Sequence, residues 1–542
     1  MNTEEFDAVG VDRRPRVSQV QYKRSERNGT RAIAPREKQK IVITHEENEV
    51  NTQASIALAT QNDLFQRGGL LITVLEQIED SATNDFFRRP AGTPIIHPLN
   101  ELDIRERLTS VASFVNQKRI EDNLIETPAR PPTWCYKTIW GKPDWLPVRR
   151  LEAVLTHPVL LPDGSLLTTN GYDAKSRIYL SMDGRLKIDV PAKPTRQEVS
   201  EAVKVIEDVI CDFPFQTKEH KAAFFAALLT PIAKPSYDGP DPFFLVDANT
   251  AGAGKGKLLN VISSIVYGRN FASMAYTNNE DEFRKRVTAL AIGGARSVLL
   301  DNLEGRVGNA TFNSALTSTD WEDRVLNLSK TYKGPLAMTW YGTGNNVELH
   351  EDLPRRTCVV RLEHPDELPE LKSDFRHVDV LNHVKSNRDK LMIALLTMVR
   401  AWVVAERPRL GVNKWGSFEG WASVVPEIIV FCGIADPDTR KELRVGSDTE
   451  TACMKGILQE MFRLDPGCQG RTAAKIADDP GSPELIEAFR RLMQHSKTTG
   501  LSLGSKFRKY KGKNIGSLKI AEMGKDRTNT VLWGAVSATR PC

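Results

Sequence analysis

The chain has 542 residues, of which 40% are hydrophobic and 26% are charged, and its formal net charge is +5. This composition is typical of a globular protein with roughly two to four domains, and it excludes the fibrous and intrinsically disordered classes. The sequence contains no run of about 18 apolar residues, so it predicts no membrane-spanning helix and no membrane partner.

Residues 1–45 are predicted to form a disordered basic arm. They contain ten Lys or Arg and six Asp or Glu residues with almost no apolar periodicity, and such a segment cannot offset the entropy lost on ordering. Its role stays open between a solubilising tail and an arm that attracts nucleic acid. Because the segment lacks the apolar core of a secretory signal and the seven cysteines form no CxxC pair, we expect a cytoplasmic protein without a disulfide framework.

Residues 46–195 are predicted to form an N-terminal α+β domain of unknown role. Helical spacing over 51–60 and 101–118 and a strand over 69–77 are followed by short strands with PDG, NG and DG turns. The region has no cluster of carboxylates that could hold two metal ions for DNA synthesis. An active site for DNA synthesis is therefore disfavoured in this region.

Residues 196–376 are predicted to form a P-loop ATPase core on a parallel sheet, preceded by a helical region. The segment 243–268 reads FFLVDANTAGAGKGKLLNVISSIVYG: an apolar strand enters a Gly/Ala-rich loop, and an amphipathic helix begins at Lys255. The N–H groups of such a loop bind phosphate, and Lys255 is placed to reach the β- and γ-phosphates. The predicted nucleotide-binding residues are Asn249, Thr250, Ala251, Gly252, Ala253, Gly254, Lys255, Gly256 and Lys257.

Two positions of this loop depart from the usual GxxxxGK[ST] string. Asn249 stands where the first glycine is usual, and Asn tolerates unusual backbone angles. Gly256 replaces the Ser or Thr whose hydroxyl normally binds Mg²⁺. We therefore expect either that water or an acid completes the metal shell or that hydrolysis is weakened.

Two further strands are predicted to deliver polar groups to the same site. The strand SVLL ends at Asp301, 46 residues after Lys255, and an acid at such a strand end is expected to hold Mg²⁺. Glu304 or Asn302 is expected to orient the attacking water. After the strand that follows, within 336–346, either Asn345 or Asn346 is expected to contact the γ-phosphate or that water.

The segment 352–356, DLPRR, places two arginines just before another apolar strand. An arginine supplied by a neighbouring subunit stabilises charge on the transferred phosphoryl group. Arg355 or Arg356 is the candidate for such an arginine finger, and a surface salt bridge is the alternative for each.

The ordered series GAGKGK, LLDN, TGNN and DLPRR resembles the AAA+ ATPases of superfamily III helicase type. The resemblance is in particular to the primase–helicase proteins of phages, plasmids and integrative elements. It implies a ring-forming DNA motor that uses ATP and Mg²⁺. Gly256 and Asn302 are departures from the family pattern, and they affect the expected hydrolysis rate more than nucleotide binding.

Residues 324–338 are predicted to form a β-hairpin with Lys330, Tyr332 and Lys333 at its tip. In the resembled helicases a hairpin before the sensor strand points into the channel. Cations would then hold phosphate and Tyr332 would stack on a base, whereas a solvated tip is the alternative.

The C-terminal part is predicted as a helical lid region over 377–482 and a winged-helix DNA-binding domain over 483–542. Two helix patterns and two strands around a GKDRTN turn support the second prediction, with a protein-contact module as the alternative. The basic residues on or just after its second helix are expected to contact phosphates; they are Lys506, Arg508, Lys509, Lys511 and Lys513.

These predictions favour a multidomain α/β protein that works as an ATP-dependent DNA motor. The preferred interpretation is a replicative helicase of a mobile element, active as a homo-oligomeric ring on single-stranded DNA. The alternative is a non-processive ATPase switch that assembles or remodels a DNA-bound complex.

Overall fold

The structure, a computed structural model, describes residues 22–24, 38–77, 81–83, 87–120, 123–250, 252–325, 330–350, 352–364, 374–493 and 499–537. The chain divides into two compact units, Met1–Thr439 and Arg440–Cys542. Within the described residues, no helix is both long and apolar enough to cross a membrane.

The first part of the first unit combines helices with many short strands. The helices are α1 (Glu47–Ala59), α2 (Glu101–Val111) and α3 (Thr133–Gly141). The strands are β1 (Tyr22–Arg24), β2 (Gln39–Val42), β3 (Leu64–Arg67), β4 (Leu70–Gln77), β5 (Ser81–Thr83), β6 (Phe87–Arg89), β7 (Pro94–Pro98), β8 (Ala112–Ile120), β9 (Asn123–Ala129), β10 (Ala153–Leu155), β11 (Val159–Leu160), β12 (Leu166–Leu167), β13 (Gly171–Asp173) and β14 (Ile178–Leu180).

Strands β1 and β2 correct the prediction of a disordered arm. β2 pairs in parallel with β8, and β1 pairs antiparallel with β4. Ile41 of β2 is fully buried in the core beneath α1 and α2, so burial offsets the ordering entropy that local composition alone cannot offset. The arm prediction is therefore wrong for β1 and β2, whereas residues 1–21 and 25–37 lie outside the described residues.

The second part of the first unit holds the central sheet. Its helices are α4 (Arg196–Val209), α5 (Lys218–Ala233), α6 (Lys255–Val266), α7 (Glu280–Ile292), α8 (Ala310–Ala315), α9 (Val380–Ser386), α10 (Arg388–Val404), α11 (Glu419–Ala422) and α12 (Val425–Phe431). Its strands are β15 (Phe243–Ala248), β16 (Ser273–Met274), β17 (Ser297–Leu303), β18 (Arg306–Val307), β19 (Asp320–Arg324), β20 (Thr331–Pro335), β21 (Thr339–Asn345), β22 (Glu348–Leu349) and β23 (Thr357–Leu362). Within the region predicted to be a helical lid, α9 and α10 meet at Asn387.

The central sheet confirms the prediction of a parallel α/β core. Its strands lie in the order β23-β15-β21-β17-β16, all parallel, and β6 and β5 extend it on the β16 side. Every residue of β15 is buried, as expected where helices cover both faces of a sheet. In the register of the sheet, Ala248 lies beside Asn345 and Leu303 beside Gly344, so the carboxyl ends of β15, β17 and β21 lie at one edge.

The second unit begins at Arg440, whereas the sequence predicts a C-terminal domain from 483. Its elements are α13 (Arg440–Leu464), β24 (Arg471–Thr472), α14 (Ala473–Asp478), α15 (Pro483–Met493), α16 (Gly500–Tyr510), β25 (Leu518–Lys525) and β26 (Val531–Ser537). The strands form an antiparallel sheet in the order β24-β26-β25. The boundary lies earlier because Ile457 and Leu458 of α13 are buried in one core with Phe507 and Trp533.

Candidate nucleotide-binding site

The segment between β15 and α6 has the geometry of a phosphate-binding loop. Gly254 precedes the first helical residue with φ of 90°, and Gly252 has φ of 78°; side chains other than glycine rarely adopt such angles. A Cβ atom added to Gly254 would lie 3.2 Å from the ring of Phe213. The turn therefore depends on glycine, and it brings the loop directly to the N-terminus of α6. Ala251 lies outside the described residues.

Asn249, at the position of the usual first glycine, fixes the start of the loop. Its side-chain amide donates to the carbonyl oxygen of His364 at 3.0 Å, and its side-chain oxygen accepts from the His364 N–H at 3.1 Å. The paired bonds tie the loop to the residues that follow β23. The departure from glycine thus has a structural use that motif comparison does not reveal.

Lys255 reaches across the carboxyl edge of the sheet. Its ammonium donates to Asn345 Oδ1 at 2.5 Å. Burial lowers the pKa of Lys255, while the carboxylates of Asp247 and Asp301 act in the opposite direction. The start of α6 and the end of β21 thus present a cation and an amide to one point.

Asp301 is held beside that point by Thr343, a residue that the sequence analysis missed. The Thr343 hydroxyl donates to Asp301 Oδ1 at 2.5 Å and accepts from the N–H of Asn302 at 2.8 Å. Asn302 has φ of 53° at an irregularity in the pairing of β17, and its amide donates to Glu304 Oε1 at 2.8 Å. The structure therefore brings Asp301, Asn302 and Glu304 together, with both carboxylates exposed.

Asn346 has a different environment from Asn345. It accepts a hydrogen bond from Arg361 Nη2 at 2.7 Å, and the same guanidinium forms an ion pair with Asp247. Burial raises the pKa of Asp247, although Arg361 acts in the opposite direction. Asn345, which contacts Lys255, is thus the better placed of the two for a phosphate or a water at the site.

Arg355 and Arg356 lie on a short 3₁₀ turn, and both bind Asp352. Their Nη2 atoms lie 2.6 Å and 3.1 Å from Asp352 Oδ2, and Arg356 also donates to the carbonyl oxygen of Asn313. The Arg355 side chain is 49% exposed and that of Arg356 is 11% exposed. None of these contacts involves the phosphate loop, and Arg355 is the more accessible of the pair.

A cavity of about 480 Å³ opens beside the loop, a size that is common for small-molecule sites. Gly252, Gly254 and Lys257 of the loop and helix line it, together with Phe213 and Phe375. The Lys257 ammonium lies 5.8 Å from the ring centroid of Phe375. Sequence motifs did not identify these two phenylalanines, because they lie far from the loop in the chain.

A second cavity, of about 510 Å³, is lined among others by His157, Tyr237 and Arg296. None of the predicted site residues lines it. The cavity beside the loop, by contrast, is lined by the predicted residues from Gly252 to Lys257.

The hairpin of β19 and β20 is present, but its side chains correct the prediction. Tyr332 lies within β20 and is buried, its hydroxyl donates to Pro335 O at 3.1 Å, and its ring fills the space beside Gly68. Lys330 is also partly buried and donates to Trp140 O at 2.6 Å. Lys333 is exposed but forms a 3.0 Å ion pair across the hairpin with Glu322. The prediction that Tyr332 stacks on a base at a hairpin tip is therefore wrong, because β20 begins at Thr331 and places Tyr332 within a strand. Residues 326–329 lie outside the described residues.

In the second unit the predicted basic residues lie on and just after α16. Arg508, Lys511 and Lys513 are exposed, and Lys506 is half-buried. Lys511 pairs with Glu522 at 2.8 Å, and the Lys513 ammonium lies 5.3 Å from the ring centroid of Tyr510. The side chain of Lys509 lies outside what the structure describes.

No family model matches the sequence, and no curated protein matches it. Among solved structures, the NrS-1 C-terminal region (305–718) is 10% identical with a TM-score of 0.36, over 82% of this chain and 94% of that chain. SCCmec type IV Cch, described as an active helicase, is 10% identical with a TM-score of 0.33, over 87% and 91%. JCV helicase is 10% identical with a TM-score of 0.20, over 44% and 67%. Two of the three are named helicases.

Proposed function

We propose that this protein is an ATP-dependent DNA motor of superfamily III helicase type. The observation that carries the proposal is the meeting of Lys255 with Asn345, and of Asp301 with Thr343, at one edge of the parallel sheet. A cation at the start of α6 and a carboxylate near the end of β17, next to a glycine loop, are groups that phosphoryl transfer requires.

The residues present fit ATP and Mg²⁺. Open space beside Gly256, in the first turn of α6, leaves room for phosphate. The cavity beside the loop offers Phe213 and Phe375 for a nucleobase. Asp301 would hold Mg²⁺, which supplies charge neutralisation on the phosphates. Lys255 binds the phosphates, Thr343 keeps the Asp301 carboxylate oriented, and Asn345 is available to position the attacking water.

A replicative helicase of a mobile element, working as a homo-oligomeric ring, is the specific form of the proposal. The exposed Arg355 would act on the nucleotide of the neighbouring subunit. The second unit would supply DNA contacts as a winged helix, because α16 carries exposed cations next to a two-stranded wing.

A non-processive ATPase switch is the second candidate function. It is favoured by Gly256, which has no hydroxyl for Mg²⁺, and by the bonds of Arg355 and Arg356 to Asp352 in their own chain. The two candidates share the nucleotide site and differ in assembly.

The test of the nucleotide site uses Lys255→Ala and Asp301→Asn, with Lys204→Ala as the control because Lys204 is an exposed lysine on α4. We expect Lys255→Ala to lose ATP binding, and Asp301→Asn to keep binding but lose Mg²⁺-dependent hydrolysis at least 100-fold, roughly the 3 kcal/mol of a charge-assisted contact. Titration with a fluorescent ATP analogue and phosphate release measure the two effects. Parental turnover in Lys255→Ala would exclude the proposed site.

A further inference from the structure

Three metal-ligating side chains meet outside the phosphate loop. Asp208 lies near the end of α4, His377 lies before α9, and His383 lies within α9. One ligand atom from each lies within 4.8 Å of the other two. His377 Nε2 is 2.9 Å from Asp208 Oδ2, and the two imidazole rings are stacked with centroids 3.9 Å apart.

The donor set suits a tetrahedral transition-metal ion, and the His377–Asp208 pair already has nearly the required spacing. Zinc takes imidazole nitrogen and carboxylate oxygen at about 2.0–2.2 Å, so its ligand atoms lie roughly 3.3 Å from one another. His377 Nε2 and Asp208 Oδ2 therefore need to separate by only a few tenths of an ångström to admit the ion. Mg²⁺ prefers a shell of oxygens and retained waters, which this pair of imidazoles does not offer.

The surroundings support the ligands and leave an entry route. Arg376 Nε binds the other carboxylate oxygen of Asp208 at 2.6 Å, which orients Oδ2 towards the imidazoles as an outer-shell partner does. The Arg376 side chain is 65% exposed, so water screens its repulsion of a cation. The Asp208 and His377 side chains are 33% and 16% exposed, which gives an ion and a fourth water ligand access.

We propose that Asp208, His377 and His383 form a binding site for a divalent transition metal of the zinc class. The site would join the end of α4 to the segment before α9. Val209, next to Asp208, and His377 itself both line the cavity beside the loop. Metal binding would therefore hold together two chain segments that line that cavity, whichever ligand the cavity accepts. The proposal does not rest on the ATPase assignment.

The test is a titration of the metal-free, untagged full chain with Co²⁺ in the absence of nucleotide, followed by displacement with Zn²⁺. We expect one Co²⁺ per chain, visible absorption bands of a low-symmetry site, and their loss on addition of one equivalent of Zn²⁺. His383→Ala and Asp208→Asn should each weaken Co²⁺ binding at least tenfold. The matched control is His97→Ala, which removes an exposed histidine of β7 and should leave the titration unchanged.

Far-UV circular dichroism and the unfolding temperature of the metal-free variants separate lost ligands from lost folding. Asp208→Asn conserves size and remains decisive if His383→Ala does not fold. Absence of stoichiometric Co²⁺ bands in the parental protein overturns the site. Bands of equal affinity in a folded Asp208→Asn or His383→Ala variant overturn it as well.

Discussion

Gly256→Ser should restore a hydroxyl at the position where this loop departs from the usual motif. A Cβ atom added to Gly256 meets no heavy atom within 4 Å, and the residue is the second of α6. The backbone is already helical there, so serine introduces no strain. Serine is also better than glycine inside a helix by about 0.5 kcal/mol. The variant should therefore fold at least as well as the parental protein.

The expected gain is in Mg²⁺ dependence. A hydroxyl ligand next to the phosphates replaces a water and adds a contact of roughly 1.5 kcal/mol with a charged group. This corresponds to about a tenfold lower Mg²⁺ concentration at half-maximal ATPase rate, since about 1.4 kcal/mol is a factor of ten. The parental enzyme should accordingly require more Mg²⁺ than Gly256→Ser.

The assay is steady-state phosphate release at saturating ATP over a Mg²⁺ series. Gly254→Ser is the matched control. Gly254 has a φ of 90°, and Phe213 lies 3.2 Å from the position of an added Cβ, so a side chain there should lower the stability of the fold by about 1–2 kcal/mol. It should lower the unfolding temperature and weaken ATP binding. An unchanged or higher Mg²⁺ requirement in a folded Gly256→Ser variant would refute the placement of Mg²⁺ beside Gly256.

Two further predictions concern assembly and DNA. If Arg355 acts on the nucleotide of a neighbouring subunit, Arg355→Ala should lower ATP turnover at least 100-fold with little change in ATP affinity. Mixing the Arg355→Ala and Lys255→Ala proteins should then restore part of the activity. A mixed oligomer without restored activity would favour the ATPase switch. Replacing both Arg508 and Lys513 by alanine should reduce the slope of log DNA affinity against log salt concentration by roughly two, because each phosphate contact contributes about 0.9 to that slope. The basal ATPase rate should stay unchanged. A parental slope in fluorescence anisotropy would assign α16 to protein contacts.

The parts of the fold that could be predicted from sequence are those that depend on residue patterns within one short stretch of chain. The all-buried strand before the loop, the helix at Lys255 and the polar ends of the following strands each occupy one short stretch of chain. The prediction that Asp301 lies near Lys255 followed from parallel connectivity, since the carboxyl ends of parallel strands meet at one edge.

The parts that could not be predicted depend on partners far away in the chain. The sequence predicts Tyr332 to be an exposed aromatic residue near a hairpin tip. Only its contact with Gly68 in the folded structure shows that it is a core residue. The sequence predicts Ile41 to be part of a basic arm, and only the pairing of β2 with β8 in the structure shows that it is buried. Asp208 and His377 are likewise brought together by the fold alone.

The contact between Tyr332 and Gly68 couples the hairpin mechanically to the N-terminal sheet. Arg67 donates to Ala291 O at 2.7 Å and to Pro335 O at 3.1 Å, so the turn between β3 and β4 is bonded both to α7 and to the end of β20. Withdrawing a tyrosine from such a site costs about 4 kcal/mol at the usual burial coefficient. The base of the hairpin is therefore fixed to the N-terminal sheet and does not move independently of it. If the hairpin moves during the proposed activity, the sheet of β3, β4 and β7 must move with it.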